Sequence, residues 1–217
     1  MSDPHPVPAW LESIEERAAV GMPRFAAGRG SGGRQSAVLM LFGPRGTGER
    51  SGQDVVLTQR SETLRKHAGQ VSFPGGGVDP GDLSTQDTAL REANEEIGLS
   101  SHGVKVVGLL PSLPLSVTGF EVTPVLAWWE SPTPVQAQEA EVARVARVAV
   151  ADLVDPTNRF TAVAPGREFA APAFEVDGLY IWGFTAILLD ETLKLAGLAV
   201  PWDESDERLV PTRYRRR

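Results

Sequence analysis

The chain has 217 residues, 41% of them hydrophobic, enough for one large domain with a buried core. Its net charge of −7 excludes nucleic-acid binding by bulk charge, so an anionic substrate would need a local basic patch. The absence of cysteine excludes disulfides, thiol catalysis and thiolate metal sites, and three scattered histidines (His5, His67, His102) argue against a histidine-built zinc centre.

In chain order, AWLESIEERAAV (9–20) predicts a short amphipathic helix, with Trp10, Leu11, Ile14 and Ala18 on one side. GRGSGGRQS (28–36) predicts a flexible connector. The apolar runs AVLMLF (37–42) and DVVLTQ (54–59) predict strands joined by a Gly-rich loop. Ser84, with Asp87 three residues on, predicts the start of a helix that Gly98 ends. Leu90, Ala93 and Ile97 supply its apolar face. GVKVVGLLP (103–111), FEVTPVLAWW (120–129) and VARVARVAV (142–150) read as further strands. FEVDGLYIWG (174–183) reads as a hairpin leading into a helix, ILLDETLKLAG (187–197), and the charged segment from Pro201 ends in RYRRR as a mobile tail. The expected organisation is an N-terminal helix and linker over 1–36, a main domain over 37–200 and a charged tail over 201–217. Strands mixed with two or three helices predict an α/β or α+β fold around one sheet. No run is apolar and long enough to cross a membrane, and MSDPHPVPAW is too polar for a signal peptide, so a cytoplasmic location without a membrane partner is expected.

Two glycine-rich segments imitate phosphate-binding loops. Gly28, Gly30 and Gly33 match GxGxxG but precede a strand instead of linking strand to helix. LMLFGPRGTGERS (39–51) carries Glu49 where a phosphate loop needs lysine, and a strand follows where a helix should begin, so it reads as a hairpin loop.

The segment LREANEEIGL (90–99) places Glu92, Glu95 and Glu96 on one helix face. Each like-charge pair of this kind costs about 0.2–0.5 kcal/mol on a helix. Two readings stand: a solvated acidic face, or a divalent metal site in which a hard cation cancels the repulsion.

REANEEIGL resembles the REUxEExGU core of the Nudix box, where U is a bulky apolar residue and Ala93 is a smaller one. Counting back from Arg91, the general spacing would put the upstream acid at Leu83, whereas five residues separate Gly76 from Asp82 and eight separate Asp82 from Arg91, so this box is stretched by one residue. The preceding LTQRSETLRKHAGQVSFPGG (57–76) resembles the LTxRSxxLRxHxGxVxFPGG signature of the coenzyme A pyrophosphatase branch, which also stretches its box. VTGFEVTPVLA (117–127) and YIWGFTA (180–186) look like other family segments, so the resemblance spans roughly residues 37–190.

The resemblance implies the Nudix α/β/α sandwich with a mixed central sheet. It implies Mg2+ or Mn2+ as cofactor, held by Glu92, Glu95 and Glu96, with Arg91 orienting them and Asp82 reaching metal through water or stabilising its turn. Gly75, Gly76 and Gly77 would shape the cavity. Glu141, followed by Val142, is the implied general base or extra metal ligand, with Glu139 second. Arg60 and Arg65 would bind substrate phosphates, with His67 as a further donor. The implied reaction is hydrolysis of coenzyme A or its thioesters to 3′,5′-ADP and 4′-phosphopantetheine. The alternatives are a hydrolase of a nucleoside diphosphate sugar or dinucleotide, and a catalytically silent nucleotide-binding module. All three box glutamates are present, which weighs against silence. Family members are often dimers, so a homodimer is allowed.

Overall fold

The computed structural model describes residues 5–20, 33–46, 52–64, 66–115 and 119–215. The elements, in chain order, begin with helices α1 (Ala9–Glu12) and α2 (Ile14–Val20). Strands β1 (Arg34–Arg45), β2 (Gly52–Arg60), β3 (Val71–Ser72) and β4 (Gly75–Gly77) precede helix α3 (Thr85–Ile97). Strands β5 (Val104–Leu109), β6 (Leu113–Leu115), β7 (Phe120–Trp129) and β8 (Val142–Ala149) lead to helix α4 (Val150–Val154). Strands β9 (Arg159–Val163), β10 (Ala170–Val176) and β11 (Leu179–Ile181), helix α5 (Gly183–Leu195) and strand β12 (Glu207–Leu209) complete the chain. No helix among the described residues is long and apolar enough to cross a membrane.

The chain forms two compact units that interleave in sequence: the described parts of Met1–Pro44 with Phe73–Gln136, and those of Arg45–Ser72 with Ala137–Arg217. Each unit is closed by strand pairings between distant segments.

In the first unit β1 pairs in parallel with β7 and antiparallel with β4, and β7 pairs antiparallel with β5 and β6. The sheet is therefore mixed. Strand β7 is buried from Val122 to Trp129, which its largely apolar sequence anticipates. The N-terminal helix is interrupted at Ser13, whose hydroxyl donates to the Trp10 carbonyl at 3.0 Å. Leu11 and Ile14 are fully buried, and the Trp10 ring meets Phe42 edge-on at 5.2 Å.

In the second unit β2 pairs antiparallel with β3 and β8. A separate sheet runs β11-β10-β9-β12, in which β12 is parallel to β9. The expected mobile tail thus contains a paired strand, and Tyr214 beyond it is buried against Phe160 and Ala173. A charged centre joins this sheet to α5. Arg159 on β9 is almost fully buried and bonds Asp190 of α5, whose other oxygen meets Lys194 Nζ at 2.7 Å. The rings of Phe174 and Trp202 lie 4.9 and 4.7 Å from the Arg159 guanidinium carbon.

Candidate active site

Helix α3 is built as its sequence dictates. The Ser84 hydroxyl accepts from the Asp87 amide at 3.1 Å, and Gly98 ends the helix in the left-handed conformation at φ 65°. Thr88, Ala89, Ala93, Glu96 and Ile97 are buried. Leu90, expected in the buried stripe, is only half-buried, and Glu96 takes a place on the inward side. A carboxylate carried inward needs polar company, and the Gly75 amide donates to Glu96 Oε2 at 3.3 Å.

The glycine loop explains this approach. Gly75 has φ +156°, and a Cβ there would stand 2.3 Å from the Ala37 carbonyl oxygen. A Cβ on Gly76 would stand 2.5 Å from the Glu92 carboxyl carbon. The main chain therefore lies directly against the carboxylates of α3, which any larger residue would displace. A cleft of about 380 Å3, lined by Arg34, Gln35, Gly77, Val78 and Phe120, opens beside the same loop.

Arg91 organises the cluster. Its Nη1 donates to Glu92 Oε1 and Glu95 Oε2, each at 3.0 Å, and its Nη2 donates to the Gly77 carbonyl at 2.9 Å. Its Nε and Nη2 bond Asp82 at 2.9 and 3.0 Å. Asp82 also accepts from the Asp79 amide and the Thr88 hydroxyl, both at 2.9 Å. The bonds from Arg91, then those from Asp79 and Thr88, hold the Asp82 carboxyl well below the usual carboxylate range. Reciprocally, Asp82 first and then Glu92 and Glu95 push the Arg91 guanidinium further up, so it stays charged.

The first unit thus brings together Gly75, Gly76, Asp82, Arg91, Glu92, Glu95 and Glu96. Glu95 is exposed, Glu92 half-buried and Glu96 buried at 4% exposure. Among the described residues no three His, Asp or Glu side chains stand as a ready cage for an ion. The contacts are instead those of carboxylates shared with an arginine and a backbone amide. As donors, Glu92, Glu95 and Glu96 are all-oxygen and anionic, the chemistry that suits a hard divalent cation.

The second unit carries Arg60, His67 and Glu141. Arg60 ends β2, and the loop after it closes through two bonds: the Arg60 amide donates to Gln70 O at 2.9 Å, and the Gly69 amide to Arg60 O at 3.2 Å. His67 and Lys66 are exposed, and Arg65 lies outside the described residues. Glu141 and Glu139 are both exposed, and the Ser61 amide donates to the Glu141 carbonyl at 2.8 Å, tying that residue to the end of β2. Of the imitation phosphate loops, Gly28, Gly30 and Glu49 also lie outside the described residues.

Sequence reasoning missed the fourfold-bonded role of Asp82 as the anchor of Arg91. The signal was available: Asp82 sits nine residues before Arg91, just upstream of the Ser84 cap.

Comparison with known proteins places these features in a family. A NUDIX domain profile matches residues 34–171. The chain is similar to a Nudix hydrolase NudL of Cronobacter sakazakii, 46% identical over 119 residues, or 55% of this chain and 59% of that protein. It is similar to a NudL of Salmonella paratyphi B, 38% identical over 160 residues, or 73% of this chain and 80% of that protein. Among solved structures, the Nudix hydrolase RenU of M. smegmatis aligns with 55% of this chain and 74% of its own, at 23% identity and a TM-score of 0.45.

Proposed function

The chain belongs to the Nudix hydrolase family, and from that premise we propose that it is a Mg2+- or Mn2+-dependent pyrophosphatase acting on coenzyme A or its thioesters. The products are 3′,5′-ADP and 4′-phosphopantetheine. The observation that carries the hydrolytic part is Arg91 binding Glu92, Glu95 and the Gly77 carbonyl while fixed by Asp82. The choice of substrate rests on the resemblance of residues 57–76 to the coenzyme A branch.

In this reading Glu92, Glu95 and Glu96 hold the divalent cation. When bound, such an ion neutralises diphosphate charge and acidifies a water. Arg91 keeps Glu92 and Glu95 oriented, and Gly75 and Gly76 let the main chain approach them. Glu141 accepts the proton of the attacking water, with Glu139 as the alternative base. Arg60, Arg65 and His67 bind substrate phosphates. In a chain of net charge −7, such a local basic segment is what an anionic substrate requires. A cytoplasmic location goes with this reading.

The test is a substrate screen by kcat/KM with Mg2+ and with Mn2+. Coenzyme A, acyl thioesters, nucleoside diphosphate sugars and dinucleotides are compared. Coenzyme A and its thioesters are expected to rank first. A higher value for a nucleotide sugar or dinucleotide would replace the branch assignment.

A further inference from the structure

The C-terminal segment, set apart in the sequence as a charged tail, is built into the basic loop. Gln70 Nε2 donates to the Tyr214 carbonyl at 3.2 Å. That bond orients the amide, so Gln70 Oε1 is the atom facing His67 Nδ1, 3.1 Å away. An amide oxygen can only accept, so His67 Nδ1 carries the proton. Nε2 of the exposed ring is left to meet a ligand.

The backbone gives this contact a further consequence. His67 has φ +56°, a left-handed conformation that few residues other than glycine adopt. The Gln70 amide donates to the His67 carbonyl at 3.1 Å, closing the turn from the other side. Gly69 follows at φ +69°, and a Cβ there would stand 3.6 Å from the Tyr214 ring. Tyr214 is itself fixed: it is 5% exposed, stacks on Tyr180 with centroids 5.7 Å apart, and lies under the Arg213 guanidinium at 4.7 Å.

We propose that Gln70 and the main chain of Tyr214 are positioning residues that hold His67 in its left-handed turn, so that the loop after Arg60 selects substrates bearing a phosphomonoester beyond the diphosphate. This rests on the proposed reading of the loop as the phosphate-binding segment. The structural half does not: it concerns contacts within the second unit alone.

The experiment uses the full chain with Gln70→Ala and Gln70→Glu, and Tyr214→Phe as control. Gln70→Glu removes the donor to Tyr214 O, whereas Tyr214→Phe keeps both ring and carbonyl. Hydrogen exchange of residues 61–69 is measured first. It is expected to speed by about tenfold or more in both Gln70 variants and to stay at the wild-type rate in Tyr214→Phe. Kinetics are then compared for coenzyme A and its dephospho form. KM for coenzyme A is expected to rise about three- to tenfold in both Gln70 variants, with kcat and the dephospho substrate changing less than about twofold. Unchanged exchange would overturn the positioning role whatever the substrate. Faster exchange with equal effects on both substrates, or none, would overturn the selective role. If the wild type cleaves neither compound, the coenzyme A reading and the selective role fall together, while exchange still decides the positioning role.

Discussion

Arg91 and Asp82 are joined by two side-by-side hydrogen bonds, Nε to Oδ1 at 2.9 Å and Nη2 to Oδ2 at 3.0 Å. The same guanidinium holds Glu92 and Glu95, so the aspartate fixes two carboxylates that it does not touch.

Asp82→Asn should therefore lower turnover by about 10–100-fold, the usual effect of losing a group that orients metal ligands. The pH dependence of stability follows from the sign of the shift. The Asp82 carboxyl titrates below its ordinary value of 3.8 in the folded state. Its contribution is then complete above that ordinary value and is lost as pH falls through the folded value. The Tm difference between wild type and Asp82→Asn should be constant from about pH 7 to 5 and shrink below about pH 4. A difference that grows on acidification would contradict the ion pair.

The two glycines should fail differently. Gly76→Ala pushes a methyl into the Glu92 carboxylate, so activity should fall by more than tenfold while Tm drops by only a few degrees. Gly75→Ala meets backbone at Ala37 and Val38 in a conformation unfavourable to alanine, costing about 1–3 kcal/mol or more. Thermal melts beside initial rates check both. Equal Tm losses would contradict the distinction.

Glu141→Gln should slow turnover by about 10²–10⁴-fold, the usual effect of losing a general base, with metal affinity closer to wild type than in box variants. Rates and metal titrations of Glu141→Gln and Glu139→Gln decide between them. A crippled Glu139→Gln beside an active Glu141→Gln would reverse the assignment.

Asp190→Ala should cost about 3–5 kcal/mol, because it strands Arg159 without its buried partner. Lys194→Ala should cost much less, since that side chain is 45% exposed. Denaturant unfolding of both variants measures the difference. Equal costs would show that Arg159 is satisfied by other means.

Much of helix α3 was readable because its signals are local: a Ser84 cap, apolar spacing near 3.6 and a terminal Gly98. Strand β7 was readable from its apolar run. The pairing of β12 with β9 was not, because DESDERL is charged and polar, and its partner lies more than forty residues earlier. Arg159 was unreadable for a related reason. A lone arginine in a strand looks solvent-facing until Asp190, Phe174 and Trp202 arrive from elsewhere in the chain. In the site, the glutamate face was legible from helical spacing, but the Gly75 amide that meets the buried Glu96 is supplied only by the folded glycine loop.

The central claim is tested most directly by incubating coenzyme A with Mg2+ and either wild type or Glu96→Gln, and identifying products by mass spectrometry. The account predicts equal amounts of 3′,5′-ADP and 4′-phosphopantetheine from wild type. Glu96→Gln, folded as judged by an unchanged Tm, should be slower by about 10²-fold or more. Intact coenzyme A with wild type, or wild-type turnover in Glu96→Gln, would contradict it.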